Sequence, residues 1–522
     1  MRMPPAESEI GTGFRFPMPA PTGGWNARDN ISAMKPTEAL ILDNWWPTPT
    51  EVEVRSGSED EASLPDTESI RTLMGLALSD GSFKRFAASA TGIWDITPGG
   101  DIAAVSSAAT TSEWESINLR VAGISYLFAA AGDGVNKARI YNGSTGAWTL
   151  LDGTSTPALT GLDSTTITNL SLHGNRVIAC AKDSLQFYYG ALNSIAGAFT
   201  GFDLGSVFKK GGFIVATTSW SIDAGDGIDD YFVAITSEGE VAIYRGADPS
   251  TSSGFAKVGV FEVGKPTGKR CFVKLAGDVG VLTEQGLWPL SRALLSATVD
   301  KRVALTDKIQ KAFNAYYSLY GTFFGWQAAL LPKGPALLVN VPTSAAKSYQ
   351  FVMNTMTGAW TRFNGWNASC MLVQDGKLYF ALGDTVKEGW TGMKDGDSAI
   401  TCLASTAFSY GPTRHRGKKI NMVKPIIQAT APITFGLALD TDFAQRVALS
   451  SQTNLAALGT LWDSAQFNIS IFSDGNTSMN KWKTVRHKPG GAFSLRIRLQ
   501  VKDIQAQWSS TDFLGNIGNA LV

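Results

Sequence analysis

Leu73-Met74-Gly75-Leu76-Ala77-Leu78, followed by Ser79-Asp80-Gly81, by Phe83-Lys84-Arg85-Phe86-Ala87-Ala88 and by Ile93-Trp94-Asp95-Ile96, reads as two β-strands joined by a tight turn and a third, aromatic-bearing strand. Asp-Gly supplies the positive φ that a short hairpin needs. Alternating apolar residues bury one face of each strand and leave the other paler. The unit then returns. A second copy runs through 121–128, Gly132-Asp133-Gly134, 138–141 and Ala147-Trp148-Thr149-Leu150. A third has His173-Gly174-Asn175, 176–180 and Leu185-Gln186-Phe187-Tyr188-Tyr189, and a fourth 231–236, Ser237-Glu238-Gly239 and Val241-Ala242-Ile243-Tyr244. Later copies pass through 279–283 with Gly286-Leu287-Trp288, through 351–353 with Gly358-Ala359-Trp360, and through 371–373, Gln374-Asp375-Gly376 and Leu378-Tyr379-Phe380. One such unit cannot hide its apolar face alone, so copies must stack, and recurrence at roughly 40–50 residues marks a β-propeller. The spacing is irregular and no Trp-Asp or Kelch signature is present, which leaves an array of β-sandwiches as the alternative.

Composition agrees with an all-β class. The chain has 522 residues, of which 44% are apolar, enough for a real core, and only 17% are charged. Fifty-four glycines suit many short strands and tight turns. Net charge is +0, against a dedicated nucleic-acid clamp, which carries a basic excess. No charged start followed by an apolar stretch opens the chain, so no secretory signal is expected. No apolar run is long enough to span a bilayer, so no membrane insertion by this chain is expected. Cys180, Cys271, Cys370 and Cys402 lie far apart and read as reduced, buried thiols of a protein made in a cytoplasm.

On either side of the repeats the texture differs. The N-terminal block runs Gly23-Gly24-Trp25-Asn26-Ala27-Arg28-Asp29, then a proline-started short helix at Pro36-Thr37-Glu38-Ala39-Leu40, then Leu42-Asp43-Asn44-Trp45-Trp46-Pro47. Three tryptophans in so short a reach form a clamp, on the chain's own body or on a neighbouring copy. Trp25, Arg28, Asp29, Trp45 and Trp46 are therefore the candidate contact residues. Within the repeats, Ile309, Phe313, Tyr316 and Tyr320 fall at helical spacing with Thr306 as N-cap, which predicts a helix over 306–320 packed on the propeller side. After about residue 397 comes a basic run, Arg414-His415-Arg416-Gly417-Lys418-Lys419, with strand-like segments at 433–439, 467–472 and 493–501. Arg414, Arg416, Lys418 and Lys419 are the candidate basic surface, facing a protein partner, solvent or phosphate backbone. The expected organisation is a clamp segment over 1–60, an irregular β-propeller-like body with a helical insertion over 61–397, and a C-terminal β-sandwich-like domain over 398–522.

Catalytic chemistry is hard to find. The three histidines, His173, His415 and His487, stand too far apart for a metal site. There is no Gly-x-Ser-x-Gly elbow and no phosphate-binding loop. Ser144-Thr145-Gly146-Ala147-Trp148 lacks the aspartate and the spacing of the Asp-box turns of sialidases. A pair of catalytic carboxylates stays open on sequence grounds. Asp223-Ala224-Gly225-Asp226-Gly227-Ile228-Asp229-Asp230 could offer oxygens to Ca²⁺, but it lacks the EF-hand spacing and reads first as an exposed turn. No cofactor and no metal are expected.

Four blocks carry a family resemblance: 23–47; Ser221-Ile222-Asp223 with 229–241; Asn354-Thr355-Met356-Thr357-Gly358-Ala359-Trp360-Thr361-Arg362-Phe363; and 408–425. In this order they resemble the tail nozzle, or tail tubular protein B, class of short-tailed bacteriophage virion proteins. The resemblance implies a structural, non-enzymatic virion protein with a propeller-like body. Six copies would form a ring below the head-to-tail adaptor, retain packaged DNA and conduct it during ejection. It also implies tail fibres or spikes as partners, transient non-specific contact with the genomic DNA, and residence in the virion tail after synthesis in the host cytoplasm. The alternative from a different class is a receptor-binding or glycan-degrading propeller protein of a phage tail.

Overall fold

The structure is a computed structural model that describes residues 13–223, 228–275, 277–295, 304–332, 334–444, 449–453, 477–479, 481–485 and 487–518. It divides into two compact units, one of 59–351 with 366–390, the other of 1–58, 352–365 and 391–522. The expected clamp segment and C-terminal domain thus fall into one unit, together with a short excursion from the middle of the chain.

Among the described residues the larger unit forms seven blades of a propeller-like fold. Its first blade pairs Thr72–Ala77, Phe83–Ser89, Gly92–Asp95 and Ser107–Ala108 in order, all antiparallel. The second is Glu115–Val121, Ile124–Ala130, Arg139–Asn142 and Ala147–Leu150. The third is Ile167–His173, Arg176–Ala181, Gln186–Tyr189 and Thr200–Asp203, and the fourth Ile214–Asp223, Ile228–Thr236, Glu240–Arg245 and Ala256–Glu262. The fifth has three strands, Phe272–Leu275, Asp278–Thr283 and Gly286–Pro289. Gln327–Leu331 and Ala336–Ser344 begin the sixth, and Met371–Gln374, Lys377–Leu382 and Thr385–Gly389 the seventh. Neighbouring blades touch around a closed circuit that returns from Met371–Gln374 to Thr72–Ala77. The seventh blade is completed by Ser58–Ser63, which pairs beside Thr385–Gly389. A strand from before the first blade therefore closes the ring.

The middle strands explain the stacking. Arg176–Ala181 reads Arg-Val-Ile-Ala-Cys-Ala, apolar at consecutive positions, and five of its six residues are buried. Successive side chains point to opposite faces. Val177 and Ala179 accordingly pack with Phe128 and Ile140 of the second blade, and Ile178 and Cys180 with Phe232 and Ala234 of the fourth. Both faces are buried, which corrects the expectation of one buried face per strand, because an inner layer of a stack has a neighbour on each side. The same stacking joins the first blade to the seventh through Leu73, Ala87, Trp94, Tyr379 and Val386.

Turn chemistry holds in part. Gly174-Asn175 and Asp375-Gly376 both carry positive φ at two successive residues, as the hairpin turn requires. The expected strand over 121–128 is instead split by a turn at Ala122-Gly123, where alanine takes a φ of 50°. The helix is Gln310–Tyr320, preceded by a 3₁₀ turn at Asp307–Ile309. Ile309 and Phe313 are buried, and the Phe313 ring lies 5.7 Å from Trp326. Thr306 does not cap the helix; its hydroxyl accepts from Leu287 N at 3.2 Å, which ties the helix start to the fifth blade.

The smaller unit is a sandwich. One sheet holds Trp45–Pro47, Val52–Val54, Ala506–Ile517 and Lys418–Ala429, with Gly13–Pro19 along the free part of Ala506–Ile517. The other runs Trp360–Phe363, Glu38–Asp43, Ile400–Thr406, Phe493–Val501 and Thr434–Thr441. Phe493 of the second sheet meets Phe16 and Phe513 of the first at 6.2 and 5.0 Å between ring centres, so the apolar faces interdigitate. The expected short helix at 36–40 is absent: Glu38–Asp43 is a strand, held on one side by Ile400–Thr406 and on the other by Gly24–Trp25. Two-sided pairing overrides the local propensity of so short a segment. The strand expected at 467–472 lies outside the described residues.

Candidate functional site

The three tryptophans of the N-terminal block are all buried within the sandwich unit. Trp45 lies tilted against Trp508 at 5.9 Å between ring centres, and Trp46 lies edge-on to Phe363 at 6.4 Å. Trp25 has the Arg362 guanidinium over its ring at 5.8 Å, and Arg362 also forks onto Asp43 at 2.9 and 2.7 Å. Burial pushes the Asp43 carboxyl up, against the pull of Arg362. The 354–363 block spends its polar groups on the first block. Asn354 donates to Pro47 O, and the Thr361 hydroxyl lies 2.9 Å from Leu42 O and 2.6 Å from Trp45 O. A Cβ on Gly24 would stand 2.6 Å from Trp360 O, and its φ is +81°, so only glycine serves there. Arg28 and Asp29 pair with each other at 2.7 Å on a turn organised by Asn26, and both stay partly exposed. Of the five candidate contacts, these two have surface to offer.

A second set of residues in this unit escaped the sequence reading. Arg55 is 1% exposed, and all five of its N–H groups are used. Its Nε donates to Asn44 Oδ1 at 2.9 Å, two donors fork onto Asp395 at 3.0 and 2.6 Å, and the others reach Ser56 O and Asn364 O. Asn44 sits at a φ of 58° and passes its amide to Thr401 O. No local pattern announces this hub, because Asp395 lies 340 positions away.

The basic run divides. Arg414, His415, Arg416 and Lys419 are exposed, and the Arg414 guanidinium covers Tyr410 at 4.6 Å. Lys418 is corrected: it is 1% exposed, and its ammonium donates to Arg416 O and Gly491 O at 2.8 and 3.0 Å. Burial lowers its pKa, opposed by Asp442. The inward position follows from the pleat of Lys418–Ala429, where neighbours alternate between faces.

The propeller axis holds a cavity of about 500 Å³, lined by residues from all seven innermost strands. Its charged groups are Glu115, Lys269, Arg270 and Lys274. Arg270 braces the channel: Nε donates to Glu115 at 3.1 Å, and its other nitrogens reach Arg71 O, Thr72 Oγ1 and Trp114 O at 2.8–3.1 Å. Its guanidinium lies 5.2 Å from the Phe324 ring. Burial pulls the Lys269 ammonium down, opposed by Glu115. Uncharged partners fill the walls: Asn169 Oδ1 accepts from Thr217 N, Ser171 and Thr217 share a hydroxyl hydrogen bond, and His173 bridges Ser219 to Gly246 O. The signal for this site was the run Lys269-Arg270-Cys271-Phe272-Val273-Lys274, where two bases in a turn precede the strand Phe272–Leu275, which carries the third.

Among the described residues no group of three or more His, Cys, Asp and Glu side chains could hold a metal ion. Residues 224–227 of the acidic loop lie outside the described residues. All four cysteines are free and buried, and burial pushes the Cys180 thiol up to about 12 and Cys370 up to about 11. Among the described residues no helix is long and apolar enough to cross a membrane.

No protein-family model matches the chain, and no curated protein does. Among solved structures, it is similar to Raptor of Chaetomium thermophilum, at 12% identity over 64% of this chain and 29% of that one, TM-score 0.38. It is similar to a putative 6-phosphogluconolactonase of Bacteroides fragilis at 12% identity over 65% of this chain and 91% of that one, TM-score 0.35. BBS1N in complex with ARL6DN gives 13% identity over 45% of this chain and 73% of that one, TM-score 0.30. None of these likenesses bears on what this chain binds.

Proposed function

We propose that this chain is a structural protein of a bacteriophage virion, a tail nozzle whose six copies form a ring below the head-to-tail adaptor. The supporting observation is the interlock of three of the four blocks that carry the family resemblance, the block of 221–241 lying in the propeller unit. Residues 23–47 and 354–363 mesh through Asn354, Thr361 and Arg362, and 408–425 belongs to the same sandwich unit. Segments far apart in the chain thus form one device, as parts of a single working module do. Six identical copies close into a ring through heterologous contacts, to which Arg28, Asp29 and the exposed bases Arg414, Arg416 and Lys419 can contribute. On this proposal the ring retains packaged DNA, conducts it during ejection with only transient, non-specific contact, and presents outer surfaces to tail fibres or spikes. No catalysis is involved.

The propeller cavity bears on where DNA would pass. At about 500 Å³ it has the size of a small-ligand pocket. A double helix whose major groove alone is about 12 Å wide does not fit such a space. The conduit would therefore run between subunits, not along the axis of one propeller. The same cavity is what favours the second proposal, a receptor-binding or glycan-degrading propeller of a phage tail. Particles assembled without this protein separate the two. DNA leakage with a missing distal tail segment, seen by cryo-EM at the portal vertex, is the expected result. Full, stable heads with an intact tail tube and no adsorption would refute the nozzle.

A further inference from the structure

The propeller channel carries an electrostatic imbalance that the nozzle proposal does not use. Three cations, Lys269, Arg270 and Lys274, line it against one carboxylate, Glu115. Glu115 is already engaged by Arg270, whose remaining nitrogens are spent on Arg71 O, Thr72 and Trp114 O. Neither Lys269 nor Lys274 makes an ion pair among the described residues. Lys269 is the more constrained, since it stands where the channel wall desolvates it. Glu115, with Glu113 and Asp133, compensates that burial only in part, and a bound anion would offset more of the cost of taking an ammonium out of water. The walls beside it present neutral hydrogen-bonding groups on the second, third and fourth blades, among them Ser116, Ser171 and Thr217. Such a lining orients a polar guest without adding charge.

We propose that the channel is a binding site for a small organic anion bearing a carboxylate or phosphate, with Lys269 as its counter-charge. Lys274, on the innermost strand Phe272–Leu275, adds a further cation to the lining and favours a guest with a second acidic group. Its lining comes from one chain, so the proposal holds whether or not six copies assemble.

The test is calorimetric titration of the full chain with inorganic phosphate, pyrophosphate and citrate, with glucose as a neutral probe. Saturable binding of at least one anion is expected, weakened at least tenfold by Lys269→Met and by a smaller factor by Lys274→Gln. Lys311→Met, on the exposed side of the helix, should leave it unchanged. Thermal melts of each variant establish that the fold is intact, and Lys274→Gln serves where Lys269→Met does not fold. No saturable binding up to 10-millimolar anion, equal binding of glucose, or equal loss in Lys311→Met would each overturn the site.

Discussion

Replacing Arg55 by methionine should be among the most damaging single changes in the sandwich unit. The substitution keeps the stem that packs near Phe363, whose ring lies 5.3 Å from the guanidinium, and removes all five donors. Two of the lost bonds are charge-assisted, to Asp395, and such bonds contribute about 1.5–3 kcal/mol each. The carboxylate left behind is 15% exposed and has lost its counter-charge. Breaking one partner of a buried pair typically costs about 3–5 kcal/mol, the same range reached by the bond sum. Because two units need not melt together, a global midpoint is a poor reporter. Hydrogen exchange of peptides covering 38–55 and 360–364 reads the affected region directly. At about 1.4 kcal/mol per tenfold, protection there should fall by roughly two to three and a half decades. Arg55→Lys should fall between, since a point charge cannot reproduce the fork. A loss below tenfold in Arg55→Met would refute the claim that this hub holds the unit together.

Three further outcomes are expected. Ala62→Pro, in the closing strand Ser58–Ser63 where Ala62 is buried, puts a residue without an N–H into a strand paired on both sides and should cost about 1–3 kcal/mol; limited proteolysis should cut around 59–70 in the variant and spare the parent. His173 is held neutral by burial, with its pKa below the ordinary 6.5. The unfolded chain then binds the extra proton first, so the third and fourth blades should lose stability as pH falls from about 7.5 through 6.5 and onward to the depressed value. His173→Gln should flatten that dependence in denaturation midpoints across pH 5–8, and an unchanged slope would exclude the histidine as its source. The four buried thiols should stay unreactive toward a thiol-exchange reagent in the native chain and all react in guanidinium.

Much of the propeller was legible because its middle strands are written in apolar runs separated by glycine-bearing turns, as at Leu378-Tyr379-Phe380 after Asp375-Gly376. The blade count was not. The turn at Ala122-Gly123 carries no Asp-Gly or Asn-Gly mark, so two strands of the second blade looked like one. The closing strand reads Ser-Glu-Asp-Glu-Ala-Ser, with no apolar period at all; only its place beside Thr385–Gly389 makes it a strand. The helix showed through its aromatic stripe, yet Thr306 has a bulkier task than capping. Within the candidate sites, the tryptophans were visible by type, whereas Arg55 and Arg270 depend on partners from distant strands. A lone base in a strand carries no sign of where it will point, as Lys418 shows by turning inward among exposed neighbours.

Closing the last blade with Ser58–Ser63 also sets a timetable for synthesis. That segment leaves the ribosome early, but its partner Thr385–Gly389 follows more than three hundred residues later. At the usual 5–20 residues per second the wait is roughly 15–65 s. Until then the first blade presents Leu73, Ala87 and Trp94 with no seventh blade to cover them. The nascent chain is thus a part-built circle with two sticky ends, and a chain released before Met371 can find its missing blade only in another molecule.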